Sequence, residues 1–135
     1  RFIEVFARRG LVVDFSGSWI LPRIIGVQKA KELMMTATEI NGTTLNDYGV
    51  LYKLVEKSDL DTELNNLVSL LDKQSFISIC MIKDQIRKGL NTNFDESLSN
   101  ETDNQNSRFV HSDVMEGMSA FVEKRQPNYK NTLDE

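Results

Sequence analysis

Residues 8–51 read "RRGLVVDFSGSWILPRIIGVQKAKELMMTATEINGTTLNDYGVL". Within this stretch "WILPRIIG" (19–26) predicts a short helix, with Pro22 in an early turn and Gly26 as its stop. "VQKAKELMMTA" (27–37) sets Val27, Ala30, Leu33, Met34 and Ala37 at helical spacing, which predicts a second helix. Asn41-Gly42 is a turn dipeptide. Thr44 stands where it can cap a third, short helix that stops at Gly49. One residue fits this pattern poorly. Asp14 follows the apolar Leu11, Val12 and Val13 and precedes a run of small residues.

Outward from there, "FIEVF" (2–6) alternates briefly and "VLYKLVE" (50–56) is rich in strand formers, so each predicts a short strand. Leu60, Leu64, Leu67, Val68 and Leu71 fall on one helical face. "FISICMIKDQIRKGL" (76–90) predicts another helix, with Ile79, Ile82, Ile86 and Leu90 on its apolar side. Residues 91–107 are polar, with sparse apolar positions, and read as a loop or a loosely held helix. "SDVMEGMSAFVEKRQP" (112–127) predicts a last helix, with Asp113 as N-cap and Glu116 completing a capping-box-like arrangement. Its apolar face holds Val114, Met118, Phe121 and Val122. Lys124 and Arg125 complement the dipole at its C-terminal end, and Pro127 marks the stop. The expected fold is mainly α with one or two short strands. Its regions are 1–57, carrying the acid-bearing segment and short helices, and 58–135, a helical region. Two isolated short strands do not make a self-sufficient sheet.

The totals exclude several classes of function. The chain has 135 residues, 40% of them hydrophobic and 27% charged, with a net charge of −4. That is the size of one domain, and it carries no basic footprint for nucleic acid. One cysteine and one histidine do not supply a zinc site, so no metal is expected. Cys80 lies in an apolar run and reads as a buried thiol in a reducing compartment. No apolar run approaches the roughly 18 residues of a membrane span, and "RFIEVFARRG" lacks the apolar core of a secretory leader. A cytoplasmic location is expected. The chain does not begin with Met, which leaves room for a processed product or an excised piece.

Two constellations carry chemistry, each with two readings. Asp14 caps the helix that begins near Ser18. Alternatively it is a carboxylate in apolar surroundings, whose desolvation raises its proton affinity toward the working pH. Leu11, Val12, Val13, Phe15 and Trp19 permit the second reading. In "AFVEKR" (120–125), Phe121 and Lys124 are three apart and share a helix face. Such a pair stacks a nucleobase and meets a phosphate, or else is a buried ring beside a solvated ammonium. His111 stands beside Ser112 and Asp113 at a helix start and reads as a solvated neighbour of the cap. No nucleophile triad can be assembled, and "FSGS" is not a phosphate loop. Met34/Met35 and Met115/Met118 read as core fillers.

Taken together, residues 8–51 and "SDVMEGMSAFVEKRQPNYK" (112–130) resemble the second half of the enoyl-CoA hydratase/isomerase (crotonase) family and its C-terminal signature. The two stretches stand in the family's order and approximate spacing, and residues 59–108 match only by helical pattern. The resemblance implies a C-terminal portion of a crotonase-like fold, with the end of the ββα spiral in 1–57 and a helical trimerisation and CoA-covering region in 58–135. Family members are about twice this length. Their N-terminal half supplies both backbone N–H groups that stabilise a thioester enolate. An isolated piece of this length is expected to be inactive.

The resemblance also implies residue roles. Counted back from Arg23, Asp14 falls where isomerases of the family carry a catalytic acid, and Phe6 where hydratases keep a glutamate. "RRGL..D..GSW.LPR" is similar to a subgroup with ring-epoxide isomerases, with Val13 in place of a common proline. Asp14 would then take a proton from one carbon of the enoyl thioester and return it to another. Trp19 would line the acyl pocket, and Phe121 and Lys124 would meet the adenine and phosphate end of CoA, usually from the neighbouring subunit in this family. The implied partner is an acyl-CoA thioester, with coenzyme A as part of the substrate and no separate cofactor. The implied assembly is a homo-oligomer, trimer or hexamer. The alternative is a non-enzymatic helical assembly module derived from a crotonase.

Overall fold

A computed structural model describes residues 1–129. The end of the 58–135 region, with Lys130 of the C-terminal signature, lies outside the described residues. The chain divides into two compact units, Arg1–Asp59 and Leu60–Glu135. The expected helix-dominated architecture is observed.

In the first unit a 3-10 turn over Ala7–Arg9 ends at Gly10, whose φ of 71° suits a residue without Cβ. An extended run then leads to α1 (Gly17–Ile25). Pro22 is the sixth residue of α1, deeper than the early turn expected, where it has no N–H to donate to the helix. Gly26 (φ 81°, ψ 155°) ends α1 and opens α2 (Val27–Thr36), its C=O accepting the Ala30 N–H at 3.1 Å. The two helices clasp Leu21, Ala30 and Leu33, with Phe2, Ile25, Met34, Ile40, Tyr48 and Val50 packed around them. Leu33 is 2% exposed. α2 stops at buried Ala37, in a left-handed conformation, and Arg8 donates to its C=O at 2.8 Å.

The strand over 2–6 reduces to one antiparallel bridge. Phe2 and Ile40 exchange N–H···O=C bonds of 2.9 Å each. Residues 50–56 form no strand. Strand formers make a strand only when a neighbouring strand offers a ladder, and the described residues offer one residue pair. α3 (Gly42–Asp47) is capped by Asn41, whose side chain accepts the Thr44 N–H at 2.8 Å, so the expected Thr44 is the capped residue rather than the cap. Asn41 has the extended backbone a cap needs, and its oxygen reaches the third residue on. Gly49, with φ 72°, closes the segment as expected.

The second unit holds α4 (Leu60–Asp72), α5 (Phe76–Gly89), α6 (Phe94–Arg108) and α7 (Ser112–Glu123). α6 settles the polar 91–107 stretch as a helix. Asn93 caps it at Glu96 N–H (2.9 Å), and Asp95 and Glu96 face the positive end of its dipole. α7 is capped by His111 rather than Asp113: its Nδ1 accepts the Asp113 N–H at 3.2 Å. The Asp113 carboxylate turns inward instead. It accepts from Ser75 Oγ, the N-cap of α5, and from Arg108 Nη2 at 3.4 Å. Arg108 also meets His111 Nδ1 at 3.0 Å. His111 is therefore a largely covered cap, 16% exposed at its side chain, and not a solvated neighbour. Cys80 is exposed rather than buried, because its side of α5 is not covered within the unit.

Candidate functional site

The turn before α1 presents Asp14. Phe15 and Ser16 both have positive φ, 49° and 60°. Ser16 is the N-cap residue of α1 and makes no side-chain cap bond. Asp14 takes part only through its backbone, its C=O accepting the Gly17 N–H at 2.8 Å. The helix-cap reading of Asp14 is thereby corrected. Two left-handed residues turn the chain away before α1 begins, and no extended cap residue remains to aim a side chain at the helix N–H groups. The Asp14 carboxylate is exposed. Of its apolar neighbours Leu11, Val12 and Phe15 are exposed too, Phe15 at 94%, so they do not wall it off from solvent within this unit.

A second carboxyl lies over the same turn. Glu4 is half-buried, and its Oε1 sits 4.0 Å from where a Cβ on Gly17 would stand. That Cβ would come within 2.6 Å of Val13 Cγ1, so glycine is required for Val13 to close over the start of α1. Burial first, and then the charge of Asp14, push the Glu4 carboxyl upward from its ordinary 4.5. Sequence reasoning passed Glu4 over. The signal was present, since Glu4 is the one polar member of "FIEVF".

Trp19, in the first turn of α1, is half-buried. The Arg23 guanidinium stacks 3.8 Å above its ring and donates to its C=O at 2.8 Å. This i,i+4 pair fixes the ring plane. In the second unit Phe121 is 81% exposed near the end of α7. Lys124 is the C-cap, with φ 56°, so it stands just past the helix instead of sharing a helical face with Phe121. Lys124 N–H donates to Phe121 C=O (3.3 Å) and Arg125 N–H to Ala120 C=O (3.0 Å), the double bond of a left-handed helix end. Arg125 is bound to Glu116 at 2.6 and 2.9 Å and to Glu123 at 2.6 Å. Lys124 has no carboxylate partner among the described residues. The structure thus sets Asp14, Glu4 and Trp19 around the start of α1 in one unit, and Phe121 and Lys124 at the end of α7 in the other. Among the described residues no group of three or more His, Cys, Asp or Glu side chains could hold a metal ion, and no helix is long and apolar enough to cross a membrane.

The family model for enoyl-CoA hydratase/isomerase matches residues 1–132. A trans-2-decenoyl-[acyl-carrier-protein] isomerase from Streptococcus mutans is 31% identical over 96% of this chain and 49% of its own length. A 1,2-epoxyphenylacetyl-CoA isomerase from Escherichia coli is 28% identical over the same shares. The crystal structure of an enoyl-CoA hydratase from Polaromonas sp. JS666 superposes with a TM-score of 0.89 at 29% identity, covering 96% of this chain and 50% of that one. The chain spans about half the length of these relatives.

Proposed function

The chain belongs to the enoyl-CoA hydratase/isomerase family, and we propose on that footing that the whole protein acts on enoyl-CoA thioesters through a stabilised enolate, with Asp14 as its proton-transferring acid. The observation that carries this reading is the state of Asp14. Its carboxylate is exposed, it caps no helix, and two left-handed residues hold it on a short turn before α1. Backbone strain of this kind persists where the surrounding structure enforces it, and it gathers at functional turns.

Asp14 removes a proton from a carbon next to the thioester or one position beyond. The electron pair delocalises toward the thioester oxygen, and reprotonation at another carbon completes an isomerisation. Phe6 stands where a hydratase-type glutamate would, which favours isomerisation over hydration. Trp19, its plane held by Arg23, lines the acyl site. Phe121 and Lys124 of a neighbouring copy of the chain receive the adenine and phosphate end of CoA, the first by stacking and the second by charge. The exposed apolar positions of the second unit, including Leu64, Val68, Ile82 and Ile86, support a homo-oligomer as the working form.

In the full-length protein, Asp14→Asn removes isomerisation by about 10²-fold or more while leaving CoA-thioester affinity near normal. Equal loss of turnover and affinity would return Asp14 to a structural role. Lys124→Ala raises KM for CoA thioesters more than for short pantetheine thioesters. Equal effects on the two would remove the phosphate-end assignment.

A further inference from the structure

Glu4 has a carboxyl that the reading above does not use. The Phe2–Ile40 bridge fixes the chain two residues before it. Its Oε1 lies over the 14–17 turn, 4.0 Å from where a Cβ on Gly17 would stand, and the Gly17 N–H is itself bonded to the Asp14 C=O at 2.8 Å. Val13 closes the other side of Gly17. Glu4 has no cationic partner among the described residues, and the charge that acts on its carboxyl is that of Asp14. A half-buried carboxyl beside a carboxylate, with no cation to neutralise it, favours its protonated form. Asp14, in contrast, is solvent-exposed. Two carboxyls in unlike surroundings at one turn divide into an acid and a base.

We propose that Glu4 is the proton-donating partner of Asp14, so that the turn before α1 works as a two-carboxyl relay rather than a one-carboxyl shuttle. The proposal rests on the reading of Asp14 as the base. The Asp14 carboxylate takes the proton of a C–H bond, and that bond's electron pair enters the thioester enolate. The enolate then forms a new C–H bond at the other carbon with the proton of Glu4, leaving Glu4 as carboxylate. Transfer of the proton from Asp14 to Glu4 across the turn restores both groups. No other co-reactant is needed.

Two readouts on the full-length protein separate the parts. Exchange of the Cα proton of butyryl-CoA in D₂O, followed by NMR, requires only the base. Conversion of a 3-enoyl-CoA to its 2-enoyl isomer requires both groups. Glu4→Gln lowers isomerisation by roughly 10²-fold and leaves exchange largely intact, because glutamine fills the space without a transferable proton. It also removes the high-pH limb of the isomerisation profile, where loss of the Glu4 proton ends delivery. Glu4→Asp restores part of the isomerisation. Wild-type isomerisation in Glu4→Gln overturns the relay, as does parallel loss of exchange and isomerisation without rescue by aspartate. Wild-type exchange in Asp14→Asn is a different failure, that of the base itself.

Discussion

At Phe15 and Ser16 the backbone takes up left-handed conformations that L side chains rarely hold. The consequence is chemical, because the turn that would otherwise let Asp14 cap α1 now lifts its carboxylate clear of the helix. The strain is measurable. Ser16→Gly removes the steric cost at φ 60° and stabilises the fold by about 0.5–1 kcal/mol, after allowance for the greater freedom of glycine in the unfolded chain. Urea denaturation checks it, and a loss of stability would show that the serine side chain contributes something the left-handed backbone does not explain. Asp14 was legible in the sequence because a lone acid among apolar residues breaks a local pattern. Whether it capped a helix was not legible, since that depends on the dihedral angles of Phe15 and Ser16. Glu4 was overlooked for a related reason. Its neighbours Asp14 and Gly17 are remote in sequence, and only the folded chain brings them together.

Helices were read well because their periodicity is local. Leu33 and Ala30 are buried as the spacing of α2 requires. Caps were read near the right helix starts and at the wrong residues: Asn41 rather than Thr44, His111 rather than Asp113. In the second case Asp113 is drawn away by Ser75 and Arg108, partners that no local pattern reveals. Strands failed because a ladder is a long-range property. At the end of α7, Glu116 does not complete a capping box. It binds Arg125 through both oxygens and accepts the Asn128 N–H at 2.7 Å, drawing the chain back along the helix. These bonds, the Arg125 bonds first, lower its carboxyl from 4.5 to about 2. A lowered carboxyl contributes stability above its unfolded value and loses it as pH falls toward the folded one. Glu116→Gln therefore lowers Tm at neutral pH, by a modest amount for so exposed a pair, and the difference from wild type closes between pH 4.5 and about 2. A gap that stays constant across that window would assign the loss to packing rather than charge.

The molecule as a whole has a small buried core and many exposed large apolar side chains. Composition did not reveal this, because the apolar residues are present at the helical spacing of a core while their faces are not covered within either unit. Such surfaces suit a chain that spans about half the length of its relatives and belongs to a family whose model it matches over residues 1–132. The family was legible because its two signatures stand in register at the two ends of the chain. The account rests on Asp14 as the proton-accepting group of the full-length protein. Its most direct test is the rate of Cα-proton exchange of butyryl-CoA in D₂O, wild type against Asp14→Asn, with thioester binding measured in parallel. The account predicts exchange in the wild type and its loss in Asp14→Asn at unchanged affinity. Exchange at the wild-type rate in Asp14→Asn would contradict it.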